Sequence, residues 1–187
     1  MFKNKELEKL KNKIKLLEKS NADLIITDFD DTIFCTKEVI NRDYRKWRRW
    51  ADWNDYIIKN NLIDKIIHEV YKDTNYPNSI TAKLRKNHDL ILTAWIKEFQ
   101  TKKIIAANIE HINTKIVPTA EDKIAETIRY IINDLWFIPS KITIYEDRPK
   151  YFIEFKKFIE DFLWTKLDIM FVEMNCNDTE PKIVKLD

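Results

Sequence analysis

The fold is decided by residues 24–33, which read Leu24-Ile25-Ile26-Thr27-Asp28-Phe29-Asp30-Asp31-Thr32-Ile33. A short β-prone run passes here directly into a cluster of acids. Such a run is typical of a strand buried in a parallel sheet. Acids that follow the strand at once stand at its carboxyl end, where open α/β sheets bind their ligands. The stretch therefore predicts an α/β fold with an acidic site at one edge of the sheet.

Apolar runs and helical patterns alternate along the rest of the chain. Strands are predicted at residues 90–92, 104–106, 112–117, 142–145 and 168–172. Helices are predicted at 4–19, 96–100 and 120–135, the last with a capping box from Thr119, and another helix opens at Pro149. This alternation predicts a mostly parallel, doubly wound sheet.

The same pattern divides the chain into three parts. Residues 1–20 are expected to contain an amphipathic helix, which also has the pattern of a short coiled coil. Residues 21–34 and 89–187 are expected to form the α/β core. Residues 35–88 interrupt that core with a polar and aromatic stretch, which we interpret as a small, mainly helical cap.

Composition limits the kind of protein this is. The 187 residues include 44% hydrophobic and 34% charged residues, as expected for a folded globular chain. No apolar run reaches the roughly 18 residues that a membrane span needs. Cys35 and Cys176 form no metal or redox motif. We therefore expect a cytoplasmic protein without membrane association, either a monomer or a weak dimer. The net charge of +2 gives no general signature of nucleic-acid binding.

Three strand ends carry residues that suggest phosphate chemistry. They bring Asp28 and Asp30, then Thr93, then Glu146 and Asp147 to one edge of the sheet, and Lys123 lies in the helix before the last of these strands. Clustered carboxylates repel one another unless a cation joins them, and Mg²⁺ prefers oxygen ligands of this kind. Asp28 is then a candidate nucleophile that forms an aspartyl-phosphate, and Asp30 a candidate acid and base. Thr93 and Lys123 are candidates to hold phosphate oxygens, with Lys115 as a rival to Lys123.

Four segments, in order, resemble the motifs of the haloacid dehalogenase-like hydrolase superfamily. They are Asp28-Phe29-Asp30-Asp31-Thr32-Ile33, the strand Leu90-Ile91-Leu92-Thr93, Lys123, and Ile142-Thr143-Ile144-Tyr145-Glu146-Asp147. The resemblance spans residues 22–174. It implies a three-layer, Rossmann-like core, Mg²⁺ as cofactor and phosphoryl transfer through Asp28. It also implies that the metal is held by Asp28, Asp147 and the backbone carbonyl of Asp30.

Further residues are candidates on the same basis. Thr32 is expected at the substrate. Glu146 is either a metal ligand, a supporting acid or a surface residue. Arg148 either binds the substrate phosphate or pairs with Glu146. The run from Tyr145 to Pro149, with its following aromatic helix, is also similar to the haloacid dehalogenase-type domain of "Swiss Army knife" RNA-repair proteins, which implies RNA ends as a possible substrate.

The expected function is Mg²⁺-dependent hydrolysis of phosphomonoesters. A small phosphorylated molecule is the first expectation for the substrate, and a nucleic-acid end is the second. The cap is expected to exclude water and select the substrate. The alternative is a non-catalytic module that binds a phosphate or an RNA end on the same fold. A pure binder needs neither Asp28 nor Asp30, so the full acid set favours the enzyme.

The chain contains no glycine and six tryptophans. Average usage of about 7% predicts about 13 glycines in a chain of this length. Several tryptophans stand where the fold calls for glycine: Trp95 after the second motif, Trp136 before the fourth strand, and Trp164 after a helix. We hypothesise that some or all of Trp47, Trp50, Trp53, Trp95, Trp136 and Trp164 represent UGA codons that the source organism reads as glycine. The alternative is that the tryptophans are genuine.

Overall fold

The computed structural model describes residues 2–34, 50–71, 78–84, 88–174 and 180–186. Cys35, Cys176 and all of residues 45–49, which include Trp47, lie outside these ranges, as do other parts of the expected cap. Within the described ranges no helix is both long enough and apolar enough to cross a bilayer.

The described chain forms a mixed α/β fold, as the alternating pattern predicted. Its helices are α1 (Asn4–Ile14), α2 (Trp50–Lys59), α3 (Ile63–Ile66), α4 (Lys97–Ala106), α5 (Asp122–Tyr130) and α6 (Lys150–Leu163). Its strands are β1 (Glu18–Lys19), β2 (Asp23–Thr27), β3 (Leu90–Ala94), β4 (Asn113–Val117), β5 (Phe137–Ile138), β6 (Lys141–Glu146), β7 (Lys166–Glu173) and β8 (Lys182–Leu186). Single π-helical turns follow α3 and α5, at Ile67–Tyr71 and Ile131–Leu135.

The main sheet has six strands in the order β4-β3-β2-β6-β7-β8, and only β8 runs antiparallel. Strand β2 lies in the middle, with Thr27 level with Ile91 of β3 and with Tyr145 of β6. The chain first winds outward from β2 to β4 and then crosses back to β6. The connections therefore diverge from β2, which creates the crevice in which such sheets bind ligands.

Apolar side chains cover both faces of this sheet, because alternate residues of a strand point in opposite directions. Leu90 and Leu92 of β3 belong to a cluster with residues of α1, α5 and α6. Ile91, between them, belongs to a second cluster with residues of α2, α3 and α4. The segment between β2 and β3 thus packs its described helices onto one face, against α4.

The N-terminal helix is shorter than predicted and is tied to its own chain. It ends at Ile14 rather than at residue 19, and Glu18–Lys19 instead form a two-residue parallel strand with β5. Leu10 and Ile14 are buried in the core, and Glu6 accepts two hydrogen bonds from Arg129 of α5. The stripe with coiled-coil spacing is therefore used within the molecule.

Two other predictions about elements were wrong. Ile104-Ile105-Ala106 is the last turn of α4, not a strand, because Phe99 and Ile104 lie on the buried side of one continuous helix. The strand at 168–172 is real but is not the last one. Strand β8 follows it and pairs antiparallel along residues 169–173.

Candidate active site

The first acidic motif forms a tight loop after β2. The backbone N–H of Asp28 still donates to the carbonyl of Tyr145 on β6, and the chain then turns so that the N–H groups of Ile33 and Phe34 return to the carbonyl of Phe29. Asp31 adopts a φ of 56°, a conformation that aspartate tolerates better than most residues. Asp31 is therefore a turn residue of this loop.

A buried asparagine from the segment between β2 and β3 fixes this loop. The Asn78 amide nitrogen donates to the carbonyls of Thr32 and Ile33, at 2.8 and 3.1 Å. Its oxygen accepts from the backbone N–H groups of Ile80 and Thr81. The segment thereby holds the acidic loop in place as well as covering the sheet.

Lys123 lies between two carboxylates from different strands. Its Nζ is 3.0 Å from Oδ1 of Asp28 and 2.7 Å from Oε2 of Glu146, and all three residues are buried. The position follows from the fold, since Lys123 lies in the first turn of α5, at the edge of the sheet where β2 and β6 end. Lys115, the alternative to Lys123, pairs instead with Asp134. It does not line the cavity at which Asp28 and Glu146 lie.

Three carboxylates come close enough to share one cation. Asp28, Glu146 and Asp147 each offer an oxygen, and these oxygens all lie within 4.8 Å of one another. The convergence of acids from β2 and β6 that the sequence predicted is thus present. Glu146 is buried, which removes the interpretation as a surface residue. The Asp30 side chain points elsewhere, so any contribution to this group would come from its backbone carbonyl.

Asp30 is held by residues that the sequence did not single out. Its two carboxylate oxygens lie 2.8 and 2.9 Å from Nζ of Lys103, and the Gln100 amide donates to one of them at 3.0 Å. The Tyr71 hydroxyl lies 3.5 Å from the other oxygen. Gln100 and Lys103 were missed because residues 104–106 were assigned to a strand, which hid the helical face that these two side chains share.

Burial and crowding shift the protonation of the acids. Burial, together with the charge of Glu146, raises the pKa of Asp28 to about 7 despite the opposing effect of Lys123. Burial and the neighbouring Asp28 raise the pKa of Asp147 to about 6. Burial also raises the pKa of Glu146. These shifts have the direction expected where carboxylates are brought together without enough positive charge.

Asp30 and Lys123 shift in the direction that keeps them charged. Burial favours the protonated form of Asp30, but Lys103 and Gln100 outweigh it and hold its pKa below the usual range. Burial opposes the charge on Lys123, but Asp28 and Glu146 more than compensate and raise its pKa. Asp30 is thus better prepared to accept a proton than to donate one.

These residues surround one cavity at the carboxyl edge of the sheet. Its lining includes five carboxylates, from Asp28, Asp30, Asp31, Glu146 and Asp147, and three cations, from Lys103, Lys123 and Arg148. When all of these groups are ionised, five negative and three positive charges give the lining a net charge of −2. A divalent cation has the charge that would neutralise it.

The remaining predicted residues lie at different distances from this cavity. Thr93 lines it at the end of β3, and the Arg148 side chain lines it while its Nε lies 3.3 Å from Asp147. Arg148 also donates a backbone hydrogen bond to Glu146 at 3.3 Å, so it contacts the residue named in one of its two predicted roles through its main chain. Thr32 is fully buried and is not among the residues that line the cavity, so no direct route from its hydroxyl to a substrate is visible.

Comparison with known proteins identified no relative. No family model matches the chain, and neither a curated protein nor a solved structure resembles it significantly. The function of this protein is therefore inferred from its sequence and from the geometry of this site.

Proposed function

We propose that this protein is a magnesium-dependent phosphomonoester hydrolase with a haloacid dehalogenase-like core, and that it works through an aspartyl-phosphate on Asp28. The observation that carries the proposal is the arrangement around Lys123. A lysine bridges a carboxylate of β2 and a carboxylate of β6, and Asp147 completes an acidic group within 4.8 Å. Burying three carboxylates around a single lysine is costly unless further positive charge offsets their repulsion.

The sheet supports the same proposal. The strand carrying Asp28 lies in the middle, the strand ending near Thr93 lies on one side, and the strand ending in Glu146 lies on the other. Helices on both faces fit a three-layer, Rossmann-like core. The four sequence motifs thus come from neighbouring strands and from the helix that leads into β6.

The residues present fit a magnesium ion. The donors are hard carboxylate oxygens, their pKa values are raised, and the lining has an excess of two negative charges. Asp28, Asp147 and the Asp30 carbonyl would hold the ion, with Glu146 either joining them or supporting them through Lys123. When bound, Mg²⁺ supplies the charge neutralisation that lets one anion attack another.

In the first half of the reaction, a carboxylate oxygen of Asp28 attacks the phosphorus atom of the substrate. A bond forms between Asp28 and phosphorus, and the bond to the leaving oxygen breaks. Asp30, which Lys103 and Gln100 hold ionised in the free protein, takes up a proton from solvent as the substrate binds and passes it to the leaving oxygen. In the second half, a water molecule attacks the phosphorus and gives its proton to Asp30. The bond to Asp28 then breaks and inorganic phosphate is released. Asp30 returns its proton to solvent, which restores the enzyme.

We propose that Thr93 and Lys123 hold the phosphoryl oxygens. Both line the cavity beside Asp28, and each is nearly inaccessible to solvent. A buried cation and a hydroxyl in fixed positions stabilise charge on the transferring group more effectively than groups exposed to water. Arg148, at the rim, is half exposed and can reach a second anionic group of a substrate.

The segment between β2 and β3 is proposed to select the substrate. Trp53 and Asn54 of α2 line the cavity, so the helical segment reaches the acidic site. Such a cover excludes water and restricts what enters. A small phosphorylated molecule is our first proposal for the substrate, and a phosphorylated RNA end is the second.

Hydrolysis of 4-nitrophenyl phosphate with and without Mg²⁺ tests the proposal. We expect turnover that requires Mg²⁺ and is lost in Asp28→Asn, because the amide is a poor nucleophile and a weaker ligand. Asp161→Asn, at an exposed position of α6, is the matched control and should keep full activity. Binding of inorganic phosphate with no turnover of any phosphoester by the wild type would instead identify the non-catalytic module.

A further inference from the structure

Lys103 is a buried cation whose partner is Asp30. Its side chain is 4% exposed, and its Nζ contacts both Asp30 oxygens while lying 4.2 Å from the centre of the Phe99 ring. The Tyr71 ring lies 5.5 Å away on another side. A lysine enclosed by aromatic rings loses most of its hydration, so its ion pair with Asp30 keeps both side chains in one geometry.

Gln100 adds a second constraint from the same helix. Its amide nitrogen donates to Asp30 at 3.0 Å and to the carbonyl of Ala94 at 2.8 Å. Both partners are acceptors, so the orientation of the amide is fixed by the network. Ala94 follows Thr93 at the end of β3. Gln100 therefore sets the distance between the Asp30 carboxylate and the strand that carries a phosphate-binding residue.

We propose that Lys103 and Gln100 are positioning residues for proton transfer by Asp30, a role that rests on the proposed hydrolase function. They hold the carboxylate on the leaving-group side of the cavity, away from the acidic group formed by Asp28, Glu146 and Asp147. The transfer itself is between Asp30 and the leaving oxygen or the attacking water. Lys103 and Gln100 neither gain nor lose a proton overall.

The dependence of rate on the leaving group tests this role. A displaced carboxylate transfers its proton poorly, and this matters more for a basic leaving oxygen such as that of phenyl phosphate than for 4-nitrophenolate. For Lys103→Met we expect kcat on phenyl phosphate to fall roughly tenfold more than kcat on 4-nitrophenyl phosphate, with little change in KM. Lys103→Arg should recover part of the loss, because it keeps the charge.

The controls separate positioning from folding and from the proposed function itself. Lys102→Met removes the neighbouring lysine, which pairs with Asp64 and Glu98 at the surface, and should leave both substrates unaffected. Gln100→Leu keeps the ion pair between Lys103 and Asp30. It should show a smaller difference in kcat between the two substrates, and it replaces Lys103→Met in the test if that variant does not fold. Equal losses on both substrates in Lys103→Met and Gln100→Leu would overturn the positioning role alone. A wild type without Mg²⁺-dependent turnover would overturn the hydrolase and this role with it.

A second inference comes from the backbone. Six non-glycine residues in the described ranges have positive φ, and three of them are aspartate or asparagine, which tolerate it. The other three are Trp95, Trp136 and Trp164, with φ of 97°, 62° and 51°. A bulky side chain is disfavoured there, because its Cβ crowds the backbone. These are the three positions at which the sequence suggested glycine.

The surroundings of two of these tryptophans offer no compensation. Trp164 ends α6 in a left-handed conformation, its N–H bonded to the carbonyl of Glu160, as glycine does at helix ends. Trp136 follows the π-helical turn after α5 and also has a left-handed backbone conformation. Their side chains are 54% and 72% exposed, so little apolar surface is buried in exchange for the strained backbone.

We infer that the protein made in its source organism carries glycine at positions 95, 136 and 164, through a codon that is translated as tryptophan in the printed sequence. At position 95 the consequence reaches the active site. Trp95 lines the cavity next to Thr93, so a glycine there would widen the cavity beside the phosphate-binding strand.

Peptide mass spectrometry of the protein isolated from its source decides this inference. Peptides with the mass of glycine at all three positions would establish it, and peptides with the mass of tryptophan would overturn it. A recombinant comparison tests the backbone premise. The equilibrium constant for folding should be roughly tenfold higher with glycine than with alanine at position 136, and likewise at position 164. Only glycine relieves the left-handed strain, because it has no Cβ. Equal stability of the glycine and alanine variants would contradict that premise.

Discussion

Lys123 shows how one residue makes an acidic site compatible with folding. Its ammonium group lies within 3.0 Å of Asp28 and 2.7 Å of Glu146, and nearly all of its side chain is buried. Without it, two carboxylates would be buried at close range with no cation beside them. The same charge is available to a phosphoryl group that enters the cavity. At this scale the stability of the site and its proposed chemistry depend on the same atom.

Lys123→Met should therefore weaken both activity and stability. We expect kcat/KM for 4-nitrophenyl phosphate to fall by at least about 100-fold, and the free energy of unfolding without metal to drop by about 3–5 kcal/mol, because a buried ion pair loses its cation. Steady-state kinetics and urea unfolding measure the two effects. Lys115→Met, which breaks only the half-exposed pair with Asp134, is the control and should change neither by much. If kcat/KM and the free energy of unfolding were the same in Lys123→Met and Lys115→Met, Lys123 would have no role in catalysis or in stabilising the site.

The element that positions Lys123 is α5. Two hydrogen bonds between Thr119 and Asp122 close the turn that leads into it, whereas the N-cap residue Glu121 makes no side-chain capping bond. The Thr119 hydroxyl donates to the Asp122 carboxylate at 2.9 Å, and that carboxylate also accepts from the Thr119 backbone N–H at 3.2 Å. The bond from Asp122 back to the Thr119 N–H is half of the capping box predicted from Thr119-Ala120-Glu121-Asp122, with aspartate as the returning side chain. Lys123 is the next residue, so this turn also helps to determine where the ammonium group lies.

Thr119→Ala should lower the free energy of unfolding by about 0.5–1 kcal/mol, the usual net contribution of one hydrogen bond, because it removes the bond from the Thr119 hydroxyl to Asp122. Because the helix remains packed on the core, we expect kcat to change by less than about threefold. Thr101→Ala, at an exposed position inside α4, is the control, and it should be neutral or slightly stabilising because alanine favours helices. Denaturant unfolding of the two variants side by side checks the prediction. A free energy of unfolding for Thr119→Ala equal to that of the wild type would show that its hydroxyl contributes nothing to stability.

The sequence predicted the central elements well and the edges poorly. Strands β2, β3 and β6 were evident because they are continuous apolar runs that end in polar residues. Strand β8 was missed because Lys182 and Lys185 interrupt its apolar residues, and its side chains are only partly buried. The end of α4 was misjudged because Ile104 and Ile105 are β-branched, while the packing of Phe99 and Ile104 keeps the segment helical.

The same misjudgement explains what was missing from the predicted site. Asp28, Asp30, Thr93 and Lys123 could be found because their positions follow from strand ends and helix starts. Lys103 and Gln100 approach Asp30 from the far side of the cavity, through a helix face that a strand assignment conceals. A helical reading of residues 97–106 would have placed Gln100 and Lys103 one turn apart on one face.

At the scale of the whole molecule, the excess of acid links stability to pH and to metal. The pKa of Asp28 is raised to about 7 and that of Asp147 to about 6, whereas both would be 3.8 in the unfolded chain. The native state thus binds these protons more tightly than the unfolded state does. The stability that results is present below about pH 4 and is lost as the pH rises through 6 and 7. A bound divalent cation reverses this loss, because it favours the ionised acids.

In chelator, we therefore expect Tm to decrease between pH 5 and pH 8, by the equivalent of a few kcal/mol. Addition of Mg²⁺ should raise Tm more at pH 8 than at pH 5. Asp28→Asn should flatten the decrease, while Asp161→Asn should keep the wild-type slope. Differential scanning calorimetry between pH 5 and pH 8 measures Tm for the wild type in chelator, the wild type with Mg²⁺, and the two variants. A Tm in chelator that does not change between pH 5 and pH 8 would mean that these acids are not crowded as described.

The central claim is that Asp28 becomes covalently phosphorylated, and rapid acid quenching tests it most directly. The wild type, mixed with Mg²⁺ and an acyl phosphate such as acetyl phosphate, is quenched within milliseconds and digested for peptide mass spectrometry. We predict a phosphoryl group on Asp28 that is absent from Asp28→Asn and decays when quenching is delayed. Turnover of the acyl phosphate with no phosphoryl group on Asp28 at any time, or with the group on another residue, would contradict the account.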